Sequence, residues 1–231
     1  MLCTVIEPSY FLRQDECAKA LQADVVIWAD SFSFRRHSTI NRAAIKTVHG
    51  AHWLTIPVLS RGLSGQSIRE TRIQNQEDWR TAHLKTLEIN YHLTPWYDAL
   101  ADKIAAVLQK PWTHLNPYLQ RQIKVLQPPK PICAVGSSEL QPHADRTDRL
   151  IAWMRQMNAD AYLVHAHQVS LLDVPRLQHS GIGLYVFQFA APVYQQAFAG
   201  YVPHLAMIDL VCNEGPASYG LLQRAGRVQR L

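Results

Sequence analysis

The sequence predicts an α/β fold: a mainly parallel sheet with flanking helices and a helical hairpin inserted between its two halves. Three observations carry this expectation. Residues 2–28 alternate a short apolar run, a helix-spaced segment and a second apolar run, and residues 132–187 repeat the alternation. The stretch about 76–109 between them instead carries apolar residues every three or four positions, the period of a helix. Strand–helix–strand order calls for parallel strands joined by right-handed crossovers.

In chain order, Leu2–Ile6 is short, apolar and closed by Glu7-Pro8-Ser9, as a first strand should be. Gln14–Gln22 spaces Cys17, Ala18, Ala20 and Leu21 for a helix and leads into the strand Val25–Trp28. The loop Pro8-Ser9-Tyr10 between them lies where α/β proteins place ligands, beside strand ends and a helix N-terminus. A strand His52–Val58 follows, and then a polar loop over 59–77 that carries Arg61, Arg69 and Arg72 and has the composition of a lid. Asn75 is the expected cap of a helix whose Trp79, His83, Leu87 and Tyr91 share one face. Thr94-Pro95 opens a second helix with Tyr97, Leu100, Ile104 and Leu108 inward, completing the hairpin.

The prolyl run 127–131 reads as an internal linker within a single 1–231 domain. After it come a strand Ile132–Val135, a Gly-Ser-Ser-Glu loop and a helix from about Asp145 to Met157. A strand Ala161–His165, a short helix near Val174–Gln178 and a strand Ile182–Phe187 complete the alternation. The last apolar run, Ala206–Val211, contains Asp209, a carboxylate that needs a cation or donor beside it. Asn213-Glu214-Gly215 closes that segment with a glycine suited to a helix C-cap.

Composition narrows the function classes. With 48% apolar and 18% charged residues over 231 positions, the chain has enough apolar content for a packed core. A net charge of +5 without a Lys/Arg block longer than two residues lacks the stripe of a nucleic-acid binder, so a small anionic ligand is the expected partner. No run reaches membrane-spanning length, and the N-terminus shows no export signal, so a cytoplasmic location is expected. The four cysteines have no zinc spacing, and Cys3, Cys133 and Cys212 fall in apolar runs that suit buried thiols.

The chemistry concentrates in residues 30–58. Arg35, Arg36, Asn41, Arg42 and Trp53 lie between two apolar runs there, and guanidinium offers a forked, permanent donor set for phosphate or carboxylate. Ser137 and Ser138 follow a strand and precede a helix bearing Arg146, a second arrangement suited to phosphate, with Glu139 beside them. His83 on its helix face is the candidate general base, with Asp209 and Glu214 as carboxylate partners. The expected arrangement is one cleft where Arg42 meets the Ser137–Glu139 loop, Glu139 neutralising Arg42 in the empty state and His83 standing on the wall. His165-Ala166-His167 could place two imidazoles on one strand face, but without a clear third ligand no metal is assigned, and the cofactor is left open.

Asn41-Arg42 ahead of Trp53-Leu54-Thr55-Ile56-Pro57-Val58 resembles the WbqC-like proteins of bacterial O-antigen and related sugar-assembly clusters. Further residues fall in the family's order: Pro8 with Tyr10 and Phe11, Trp79 with His83, Ser137-Ser138-Glu139-Leu140 before Arg146-Thr147-Asp148-Arg149, and Ile208-Asp209-Leu210 before Asn213-Glu214-Gly215. The chain departs at its opening, where Glu7-Pro8-Ser9-Tyr10-Phe11 replaces the family's Gln-Pro-aromatic pattern with its second proline. The resemblance implies a sugar-assembly substrate neighbourhood, in which transfer of an acyl or aminoacyl group to an amino-sugar nucleotide or related glycan precursor is the expected reaction. Two other readings compete with it: a nucleotide-binding ligase or adenylyl transferase, and a non-catalytic glycan-precursor-binding protein.

Overall fold

The computed structural model describes residues 1–59, 65–126, 128, 129, 132 and 134–231. Its main sheet contains β1 (Leu2–Ile6), β2 (Val25–Trp28), β7 (Ala134–Gly136), β8 (Ala161–His165), β9 (Gly183–Phe189) and β10 (Gly226–Arg230). Their spatial order is β10-β9-β8-β1-β2-β7, parallel except for the last hairpin, where β10 runs antiparallel to β9. Counting only these strands, the order is 3-2-1-4-5-6, the doubly wound arrangement, and the crossover direction reverses between β1 and β8.

Strands buried on both faces need apolar residues on both. In β1, Cys3 and Val5 face one core while Leu2 and Ile6 face the other. The first core packs under α5 (Arg146–Gln156) and α6 (Val174–His179), with Leu150, Ile151, Trp153, Met154 and Leu177 turned to the sheet. The opposite core takes in α1 (Gln14–Gln22), α7 (Met207–Glu214) and α8 (Ala217–Ala225). Cys3, Cys17 and Cys212 are free and buried, and burial pushes the Cys3 and Cys17 thiols up to about 12.

The described residues between β2 and β7 form an insertion larger than the expected hairpin. It holds the antiparallel pair β3 (Arg42–Thr47) and β4 (Gly50–Thr55), then the short pair β5 (Val58–Leu59) and β6 (Arg72–Ile73). Three helices follow: α2 (Trp79–Tyr91), α3 (Tyr97–Leu108) and α4 (Leu115–Leu126). The third lies beyond the 76–109 hairpin, although Leu115, Tyr118, Leu119, Gln122, Val125 and Leu126 make a regular buried stripe. Pro117 stands in its first turn, where the missing N–H has no helical acceptor to lose.

Smaller corrections have local causes. The expected strand His52–Val58 breaks after Thr55, because Asn41 Nδ2 donates to Ile56 O at 2.8 Å and Pro57 follows. Asp78 rather than Asn75 caps α2, its carboxylate accepting from Thr81 N at 3.2 Å, and α3 begins at Tyr97 rather than Pro95. Of the lid-like stretch, Gln66, Ile68 and Arg69 are held by backbone bonds from Phe34 N to Gln66 O, Ile68 N to Phe32 O and Arg69 N to Asp30 O. Arg61 of that stretch, Cys133 and residues 127, 130 and 131 of the linker lie outside the described residues. None of the described helices is long and apolar enough to cross a membrane.

Candidate functional site

In a doubly wound sheet the carboxyl ends of the two strands flanking the reversal diverge and leave a crevice. Here that crevice is a cavity of about 350 Å³, lined by Val5 and Glu7 of the β1 end, Val164 and His167 of the β8 end, and α5. Arg13, Arg35, Arg146 and Arg149 all border it. Two of the four are neutralised within the chain: Arg13 Nε donates to Asp15 Oδ1 at 2.9 Å, and Arg35 pairs with Glu7. Burial raises the Glu7 carboxyl above its ordinary value, and the Arg35 guanidinium opposes that shift.

Arg146 and Arg149 are different. They occupy the first turn of α5, where the helix dipole disfavours cations. The nearby Asp145 and Asp148 both pair with Arg176, at 3.4 and 3.1 Å. Among the described residues no carboxylate forms an ion pair with Arg146 or Arg149. The Arg149 guanidinium lies over the Phe32 and Trp153 rings, 5.3 and 5.7 Å from their centroids, and burial followed by the Arg146 charge lowers its pKa. A wall with two uncompensated cations and an aromatic floor suits a phosphorylated small molecule.

Beside this wall, His165 Nε2 lies 3.1 Å from Glu16 Oε1, and the Lys19 ammonium lies 3.0 Å from the other oxygen while donating to Val5 O. Burial opposes ionisation of Glu16, but Lys19 and His165 win and hold its carboxyl down at about 2. His167 stacks on His165 at 5.3 Å, and burial, with His165 next, lowers its pKa below the ordinary histidine value. Its ring borders the cavity. Ligand atoms of Asp15, Glu16 and His165 lie within 4.8 Å of one another, so these three could hold a metal. Arg13 and Lys19 already neutralise the two carboxylates, which opposes a divalent cation there.

The remaining candidates are distributed rather than gathered. Arg42, Tyr10 and Trp53 border a second cavity, Arg35 and Arg146 the first, and Ser137–Glu139 border neither. Arg36 is exposed and Asn41 buried, and neither lines these two cavities. The serines instead tie two strand ends together. Asp30, after β2, accepts from Ser138 N and Ser138 Oγ, both at 2.9 Å, and from Ser137 Oγ at 3.2 Å. Gly136 permits this closeness, since a Cβ there would come 2.8 Å from Glu139 Oε1 and 3.1 Å from Asp30 Oδ2. Glu139 accepts from Gly136 N at 3.2 Å and is not paired with Arg42, which corrects the expected arrangement.

His83, Asp209 and Glu214 do not meet. His83 Nδ1 and the Tyr10 hydroxyl are 3.0 Å apart, and burial holds the imidazole down at about 4, so it is neutral. Asp209 is fully buried and accepts from Tyr91 and Tyr194 Oη, each at 2.6 Å. Glu214 borders a different hollow with Leu93 and Phe198. Arg13, Arg149, Trp153, Glu16 and His167 were absent from the sequence-derived site. A shared-face signal existed for two of them: Arg149 and Trp153 follow the predicted Arg146 at helical spacing, and the strand order aims that face at the crevice.

Comparison with known proteins agrees with the resemblance. The WbqC-like protein family model matches residues 8–220. The chain is 28% identical over 196 residues to the uncharacterized protein Rv1507c of Mycobacterium tuberculosis, covering 83% of this chain and 84% of that one. No solved structure gives a significant match. The chain belongs to the WbqC-like protein family.

Proposed function

We propose that this WbqC-like protein binds a phosphorylated small molecule, a sugar nucleotide or related glycan precursor, in the cavity between the β1 and β8 ends and transfers an acyl or aminoacyl group to it. One observation supports the ligand class above all: Arg146 and Arg149 face a strand-end cavity with no carboxylate among the described residues paired to either, at a helix end that disfavours cations. A diphosphate there would satisfy both guanidinium groups. The choice of acyl transfer rests on the sugar-assembly setting of the family. In that reaction the amine nitrogen forms a bond to the acyl carbon, the donor's leaving group departs with its electron pair, and the nitrogen loses a proton. His167, on the cavity wall, is the group we assign to accept it.

A second reading, a nucleotide-binding ligase or adenylyl transferase, draws support from the strand order itself, which commonly binds nucleotides at this crevice. Calorimetric titration with UDP tests the common premise. Arg149→Gln removes a charge-assisted contact of about 1.5–3 kcal/mol, a loss of roughly tenfold to a hundredfold in affinity. Unchanged affinity in the folded variant would remove the phosphate from this wall. Incubation with a UDP-amino sugar and acyl thioesters then separates the two readings. A product heavier by one acyl group supports transfer, whereas pyrophosphate released from ATP supports the ligase.

A further inference from the structure

The cavity bordered by Arg42 measures about 360 Å³, close in size to the first, and the two share one residue, Arg13. Its Arg42 side is built by the β3–β4 pair. Residues 42 and 44 project from one face of β3, and the register sets Trp53 opposite Ala44, so Arg42 and Trp53 are diagonal neighbours. The guanidinium lies over the indole, 4.5 Å from the ring centroid. That contact fixes the plane of the fork without satisfying it: Arg42 Nε is buried and has no hydrogen-bond partner among the described residues. No carboxylate pairs with Arg42 among them either. The rest of the lining combines an apolar wall that includes Ala44, Phe189, Leu205 and Ala206 with Asp15, whose charge Arg13 neutralises.

The wall between the two cavities is held rigidly. Phe11 and Leu12, just before Arg13, have φ of +49° and +31°, which is strained for side-chain-bearing residues. The surroundings impose this conformation. Phe11 N donates to Gln122 Oε1 at 2.8 Å, Met207 N donates to the carbonyls of Phe11 and Leu12 at 3.0 and 2.9 Å, and Ser9 Oγ accepts from Arg13 N at 3.1 Å. Strain maintained by so many bonds sets Arg13 between two separate spaces. A group-transfer protein needs two reactants side by side.

We propose that the Arg42 cavity binds a small carboxylate with an apolar body, next to the phosphorylated ligand. Its carboxylate accepts from the Arg42 fork, and its hydrocarbon packs against the alanine and leucine wall. Its place beside a phosphorylated ligand rests on the reading of the first cavity, but the binding stands on its own geometry. Hexanoate and UDP, titrated separately and together into the full chain, test it. Hexanoate should bind saturably, with or without UDP. Arg42→Gln should weaken hexanoate by about tenfold or more, the share of a charge-assisted contact, and leave UDP unchanged. Ala51→Trp fills the cavity from an exposed position that tolerates bulk, so it should also weaken hexanoate. Arg146→Gln should do the reverse, weakening UDP alone. Absence of hexanoate binding, insensitivity to both Arg42→Gln and Ala51→Trp, or displacement of UDP by hexanoate would overturn the second site. Loss of UDP binding with hexanoate retained would instead count against the phosphate reading alone.

Discussion

Asp209 and Arg146 both break a simple rule, and the chain treats them in opposite ways. Asp209 is a carboxylate inside an apolar run; Arg146 is a cation in the first turn of a helix. Around Asp209 the chain supplies every donor. Tyr91 and Tyr194 close on its two oxygens, Lys46 N donates to the Tyr91 hydroxyl at 3.0 Å, and Gln14 Nε2 donates to the Tyr194 hydroxyl at 3.1 Å. Around Arg146 the chain withholds the acids, giving Asp145 and Asp148 to Arg176. An out-of-place charge with internal partners is architecture. One left facing a cavity without them points to a ligand.

The comparison breaks first at Asp209. Replacing it by alanine strands two buried hydroxyls at about 1–3 kcal/mol each, so Asp209→Ala should lose roughly 2–6 kcal/mol of stability in urea denaturation. Burial raises the Asp209 pKa, so the folded state holds its proton to higher pH than the unfolded chain. The contribution of ionisation is therefore unfavourable above the ordinary carboxylate range, and wild-type stability should fall as pH rises through the raised value. A fully stable Asp209→Ala protein would show that the tyrosine cluster is not architectural.

His83 sharpens the closed side of the comparison. Its pKa falls from about 6.5 unfolded to about 4 folded, chiefly because burial disfavours the imidazolium. The unfolded chain alone takes up the proton between those values, so stability is present above pH 6.5 and is lost as pH falls toward 4. The loss should be on the order of 3 kcal/mol, since each tenfold difference in proton affinity between the folded and unfolded chain is worth about 1.36 kcal/mol. Urea midpoints collected across this range should diverge between wild type and His83→Gln, the variant being flatter. Parallel curves would mean that His83 titrates freely and is open to solvent.

These residues show how far the sequence could be read. The strand–helix alternation was visible because each element buries a regular stripe, and Ala161–His165 appears at the expected boundaries. The site was less legible, because its residues come from separate segments: Arg13 before α1, Glu7 after β1, His167 after β8 and Arg149 on α5. Only the order of strands joins them, and strand order is set by tertiary packing rather than local pattern. The serine loop misled for a related reason. Gly-Ser-Ser after a strand can cradle a phosphate or bind a neighbouring strand's carboxylate, and Asp30 lies a hundred residues away in sequence.

Arg146→Gln is the smallest effect in stability and the most direct test of the open side. The side chain is exposed and has no ion pair among the described residues, so no internal bond is lost with it. Its charge stands at the positive end of α5, an unfavourable placement worth about 0.3–1 kcal/mol, and one helical turn from Arg149. Removing it should leave the protein equally stable or more stable by that amount, measured as a shift in the urea midpoint at low salt. High salt should shrink the gain, because exposed charges are screened within about 10 Å at 0.1 M. UDP affinity should move the other way, falling while stability rises. That opposition separates a ligand-binding cation from a merely solvated one, since a solvated arginine would change neither binding nor its salt dependence. A loss of stability in Arg146→Gln would reveal an internal partner and take Arg146 out of the phosphate wall.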